Sequence, residues 1–298
     1  MFYQPSRGLG LLVGTLLTLW SAGVAYVLYA FAANSGVGVE AFLGYAAAAA
    51  LAGLTVLFAF WTNALASMSY AIDRNGLLIT WGPTRQVVPL GAIERLVPGT
   101  AVGVPGVRGI SWLGHHVGRA EIERIGAVMF YSTHQSAEQV LYVMTAERNY
   151  AISVDDPHAF AREIQIRQEL GSTTEVSHHV ERTGAAAQSF WEDASAREVA
   201  FSALLLCLGL WAYVLARFPS LPATLDLAFP PGARGELIAV SSREALLTLP
   251  QMATGLLLVN LVIGVFVHAQ SRVGAYVLFA TGALAQIAMA VAVTLALW

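Results

Sequence analysis

Five stretches of this chain each run for roughly 17–25 residues with almost no charge, the length a helix needs to cross ~30 Å of hydrocarbon. They lie at about 9–33, 41–61, 199–215, 246–268 and 273–297. Across all 298 residues 56% are hydrophobic and 12% charged, with a mean hydropathy of +0.61. Soluble domains carry about 25% charged residues. The pattern predicts an α-helical membrane protein with about five transmembrane helices. Each run has its own punctuation. Arg7 precedes the first and Asn34-Ser35-Gly36 closes it; the second contains "YAAAAALAGL", a small-residue surface that another helix can approach closely. Arg217 and Pro219 end the third, Pro250 falls in the first turn of the fourth, and "AQSRVG" joins the last two as a helical hairpin.

"AFA" at Ala30–Ala32 resembles a signal-peptide cleavage site, but the apolar run before it exceeds the 7–15 residues of such a segment, so the first helix is expected to be retained. Arg7, Arg74 and Arg272 would face the cytoplasm with the N-terminus inside, and the turn at 34–40 has no basic residue. Arg217, Arg234 and Arg243 weigh the other way. The balance predicts that residues 67–198 lie in the cytoplasm and that 218–245 form an extracytoplasmic loop.

Between the second and third runs the character changes. "SYAID" and "GLLITWG" are strand signals joined by Arg74-Asn75-Gly76, a tight-hairpin sequence. "RQVVPLGAI", "AVMFYS", "QVLYVMT" and "NYAISV" add further strands, separated by a Gly-rich stretch, Gly99 to Gly118, that reads as a mobile connection. "DDPHAFAREIQIRQELG" then carries helix grammar: Asp156 to cap, Pro157 in the first turn, Phe160 and Ile164 on one face, Gly171 to stop. Residues 68–172 are thus expected to form an α+β domain, six or seven strands in a half-open β-barrel capped by one C-terminal helix, inserted between residues 1–67 and 199–298. The polar, acidic linker at 173–198 is expected to be largely flexible until Phe190-Trp191, with Asp193 or Ser195 starting the third helix.

These residues resemble the bacterial pleckstrin-homology-like (PH-like) domain of multi-pass membrane proteins. The likeness rests on the Asp-x-x-Gly-Leu turn at Asp73, on Val88-Pro89-Leu90 through Ile93, and on Arg148, Tyr150, Ile152, Ser153, Pro157 and Phe160. It implies a binding or scaffolding module rather than a catalyst. A second segment, "LPATLDLAFPPGARGE", is similar to a Leu-Pro-x-x-Ile-Pro-x-His-Phe extracytoplasmic segment, with Leu221, Pro222, Leu225 and Phe229 in register but Ala228 where that pattern has histidine.

Composition narrows the function. A net charge of −3 supplies no field for nucleic acid. Residues 68–172 hold nine Arg and ten acidic residues, well interspersed, which argues against a lipid-headgroup site. His115-His116 and His178-His179 are the tempting metal ligands, yet adjacent histidines on a strand point to opposite faces, and no HExxH or CxxC spacing fixes a geometry. His268 ends the fourth run and Asn260 lies within it, readable as a helix-end cation and an interhelical hydrogen bond. The single cysteine, Cys207, reads as a packing residue. No run holds an interior Asp, Glu or Arg, so an ion-coupled transporter is disfavoured. The expectation is a non-enzymatic integral membrane protein, without cofactor, that meets membrane lipids and other membrane proteins through a scaffolding domain. Arg108, Trp112, His115 and His116 are its candidate partner contacts. The alternatives are an accessory subunit of a larger bioenergetic complex, a histidine-based metal protein or enzyme, and a lipid-headgroup binder.

Overall fold

A computed structural model describes residues 1–174, 176–182, 185–226 and 240–297. Five of its helices are long and apolar enough to cross a membrane. The chain divides into two compact units, one of residues 1–24 and 50–183 and the other of residues 25–49 and 184–298, so helices α1 (Gly8–Asn34) and α2 (Val39–Ala66) contribute to both.

In the first unit the chain opens with a two-residue strand, β1 (Phe2–Tyr3), that sequence reading missed because two residues carry no periodicity. It pairs antiparallel with β2 (Ser69–Ile72), and the Met1 amino group donates to the Ile72 carbonyl at 2.7 Å. Tyr3 also packs edge-on against Phe160 at 4.9 Å, so cleavage at Ala30–Ala32 would strip these contacts away. β2 turns into β3 (Gly76–Trp81) through an Asx turn, in which Asp73 Oδ1 accepts from the Asn75 and Gly76 amides at 2.7 and 2.6 Å. β4 (Thr84–Pro89) continues the meander after Gly82, whose φ of +52° suits glycine.

The second sheet holds β5 (Ile93–Pro98), β6 (Arg108–Trp112), β7 (His115–Ile122), β8 (Gly126–Ser132), β9 (Val140–Thr145) and β10 (Asn149–Ser153), in the order β5-β9-β10-β8-β7-β6. Among the described strands only β8 and β10 run parallel. Both sheets bury one core, with Tyr70, Ile72 and Ile79 from the first meeting Leu141, Tyr150 and Ile152 from the second. Helix α4 (Pro157–Leu170) closes it with Phe160 and Ile164. Asp156 caps the helix by accepting from His158 and Ala159, and Gly171 ends it at φ +71°.

Two expectations change here. The domain has nine strands between Ser69 and Ser153 instead of six or seven, because the Gly99–Gly118 stretch is not a loose connection. It forms a short helix, α3 (Gly99–Val102), and then the β6–β7 hairpin. Gly109 and Gly118 stand opposite each other, and a Cβ on Gly109 would lie 2.9 Å from the Gly118 Cα; these glycines permit close strand approach rather than mobility. The linker after α4 is also largely built into the fold. Thr173 and Thr174 donate to Asn75 Oδ1, and β11 (His179–Arg182) pairs with the open edge of β4.

In the second unit, α5 (Ala185–Glu192) leads into α6 (Ala194–Arg217), which starts at the expected Asp193, five residues ahead of the apolar run at 199, because Asp193 caps it by accepting from the Ala196 amide. A β12–β13 pair (Thr224–Asp226 with Val240–Ser242) follows; most of the second resemblance, including Ala228 and Phe229, lies outside the described residues. Helices α7 (Thr248–His268) and α8 (Arg272–Leu297) form the expected hairpin. Glycine lets them close up: a Cβ on Gly264 would meet the Phe279 ring and one on Gly282 would lie 2.9 Å from Leu257.

Candidate interaction surface

The four candidate contacts all sit on the β6–β7 hairpin, but with different exposures. Arg108 begins β6 in the open, while Trp112 is half-buried and its indole N–H donates to the Gly10 carbonyl at the base of α1, 3.2 Å away. The hairpin tip docks there because residue 10 is glycine: a Cβ would collide with the Gly114 carbonyl oxygen. Arg7 reinforces the same base by bonding the Ala66 carbonyl at the end of α2.

His115 is fully buried and is therefore no partner contact. Its Nε2 accepts from the Trp81 indole at 3.1 Å, and its ring lies 4.5 Å from that of Trp112. Trp61 of α2 in turn packs 6.1 Å from Trp112, so these rings wedge the hairpin onto the helix ends. An accepting Nε2 requires a neutral imidazole, and burial pushes the His115 group down to about 4, with His116 adding to the effect.

His116, on the other face of β7, stacks on His134 with ring centres 4.2 Å apart. Ser111 and Ser132 hold the two Nδ1 atoms at 2.9 Å each. Desolvation lowers both rings, His134 to about 4 with His116 contributing, so the stack is neutral near pH 7. His134 drew no notice in the sequence, since nothing local says that it returns to His116 across two strands.

The second histidine pair goes elsewhere. The His178 ring lies in the barrel wall, where Tyr150 Oη meets its Nε2 at 2.6 Å and Glu147 lies 3.1 Å from Nδ1 without hydrogen-bond alignment. Behind it, Tyr150 donates to Gln86 and Gln86 to Tyr131 Oη, a buried polar chain between the sheets. Exposed His179 pairs with Glu181, and the Ser177 carbonyl and that carboxylate raise its pKa. The four histidines proposed as a metal set thus have separate neighbours, and among the described residues no three His, Cys, Asp or Glu side chains gather as ligands.

What remains open on the hairpin is its outer edge. β6 ends the second sheet, hydrogen-bonded only to β7 among the described strands, and Arg108, Gly109 and Ser111 are exposed along it. An edge strand presents a row of backbone donors and acceptors for pairing with another chain. Past it, Leu113 projects at the tip, 69% exposed beside the start of α1.

The second unit assembles one polar cluster. The buried His268 ring places Nδ1 3.1 Å from Ser189 Oγ and Nε2 3.2 Å from Asp193 Oδ2, while Tyr276 donates to Asp193 Oδ1 at 2.9 Å. The helix-end reading of His268 thereby gains a carboxylate. The serine, however, lies within a helix, and the carboxylate is already the cap of α6. The arrangement fastens α5, α6, α7 and α8 together. Among the described residues Asn260 does not make the expected interhelical bond, its buried Nδ2 having no hydrogen-bond partner there, and Gln286 reaches across to the Ala253 carbonyl instead.

Residues 68–168, about a third of the chain, match a family model described as a bacterial PH domain. No curated protein matches the chain, and no solved structure does.

Proposed function

We propose that the chain is a non-enzymatic, multi-pass protein of the bacterial inner membrane whose PH-like domain, on the cytoplasmic side, grips another membrane protein by strand addition to β6. The outer edge of β6, unpaired among the described strands, carries this reading. It starts at exposed Arg108 and ends at a tip tied to Gly10, beside the start of α1. A partner's extended segment just outside its own membrane helix would lie along it, with main-chain hydrogen bonds for affinity and alternate side chains for selectivity. The membrane setting is supported by the five apolar helices, and the cytoplasmic side by Arg7 and Arg74.

A photo-crosslinking residue placed at Ser111 in native membranes tests the proposal. One dominant adduct at Ser111 and Arg108, absent from an equivalent probe at exposed Glu94, is the expected result. Equal labelling at all three sites refutes strand addition at β6.

A second reading, subunit of a larger membrane complex, has its own observation: Ala47, Ala49 and Ala50 are exposed on α2, a small-residue surface that suits helix docking. Native electrophoresis after mild extraction separates the two, because a stable complex migrates as one large species.

A further inference from the structure

We propose that the second unit holds a built site for one hydrocarbon chain of a membrane lipid, recognised by its tail and by a neutral oxygen at its polar end. The inference rests on the membrane reading above. A cavity of about 790 Å³ lies between residues 32–49 of α1 and α2 and the facing parts of α6 and α7. That is within the ~300–1,000 Å³ usual for small-molecule sites. One wall carries small residues, Ala32, Ala41, Ala46 and Ala49 among them, beside Phe42 and Tyr45, and the other carries larger apolar ones such as Leu204 and Leu258. The small side chains leave the space, and among the described residues that line it none is charged.

The polar side chains on the walls decide what fits. Trp211 donates to Thr254 Oγ1 at 2.9 Å, Thr254 bonds back to the Pro250 carbonyl, and Cys207 lies 3.4 Å from the same hydroxyl. Ser35 bonds the Phe31 carbonyl. These groups are satisfied within the protein and offer a ligand only apolar surface. Gln251 and Tyr45, both exposed, are the remaining polar side chains of the lining. An apolar cavity this size does not hold ordered water, which needs two to four polar partners. A flexible hydrocarbon fills it, and Gln251 can donate to an ester or carbonyl oxygen at its end. The absence of charge predicts indifference to the headgroup.

The test uses the full chain purified in mild detergent. Native mass spectrometry is expected to show about one lipid retained per protein after washing, and mass analysis of the extract tells an acyl chain from an isoprenoid. Ala46→Phe and Ala49→Phe, which fill the cavity, should cut retention at least five-fold; Gln251→Leu should weaken it; Val262→Phe, on an exposed face of α7, should leave it unchanged. A fatty acid bearing a photoactivatable diazirine should label wall peptides of the wild type several-fold above the other helix faces, a readout independent of whether the variants fold. Equal retention in Ala46→Phe and wild type, no retained lipid, or even labelling of all faces overturns the site. Carbonate extraction separates the two claims: protein released from membranes sinks the membrane reading, whereas protein kept in membranes but without bound lipid sinks only the cavity.

Discussion

Replacing Tyr70 by Phe should loosen the joint between the two sheets of the PH-like domain. Tyr70 is fully buried on β2, and its hydroxyl donates to the Tyr131 carbonyl of β8 at 2.6 Å while accepting from the Ser153 amide of β10 at 3.2 Å. Phe keeps the ring and its packing, so the loss is confined to polar satisfaction. Leaving a buried donor or acceptor without its partner costs about 1–3 kcal/mol. The amide has only one proton to place, whereas the carbonyl keeps a second lone pair. The amide therefore dominates, and the two together amount to about 3 kcal/mol. For a domain near 100 residues 1 kcal/mol shifts Tm by roughly 4 °C, so a fall of about 10 °C is expected. Thermal unfolding of the full chain in detergent, followed by intrinsic fluorescence, reads it. Tyr142→Phe is the comparison, because it removes only a bond to the Gly103 carbonyl, beside a loop. If Tyr70→Phe melts within 2 °C of wild type, or falls no further than Tyr142→Phe, the inter-sheet tie is not what holds this joint.

Acid should weaken the same domain: His115 and His134 are held neutral, near 4 in the fold against about 6.5 unfolded, so the unfolded chain binds more protons between those values. Stability is then complete above pH 6.5 and declines toward pH 4, and a His134→Gln variant should show a shallower decline in melting temperature across that window. Gly10→Leu should push the β6–β7 tip off α1 and expose the hairpin to protease, whereas Gly8→Leu, with nothing within 4 Å of its Cβ position, should match wild type in the same digestion. Asp156→Ala removes the cap of α4 at a cost of about 1 kcal/mol, read as a Tm lowered by a few degrees; no change would mean that packing of Phe160 and Ile164 alone fixes that helix end.

Helix α4 was legible because each of its signals acts within a few residues: the capping carboxylate, the proline, the apolar pair four apart and the terminal glycine. The β2–β3 hairpin was legible for the same reason. The Gly-rich stretch misled, since glycines that allow two strands to touch look, in one dimension, like glycines that allow a loop to move. The candidate surface was half readable. Arg108 stands on the open edge, but the burial of His115 depends on Trp81 and Trp112, and the latter is anchored to Gly10, about a hundred residues earlier in the chain.

The sequence by itself determined the five apolar helices and the strand-rich insert, because hydrophobic run length and periodicity are properties of neighbouring residues. Only the tertiary structure decided that β1 and β11 join the first sheet, that β8 and β10 run parallel, and that Ser189, Asp193, His268 and Tyr276 meet at one point. Those outcomes turn on which distant segments bury each other, and burial is a sum over the whole fold that no local stretch carries.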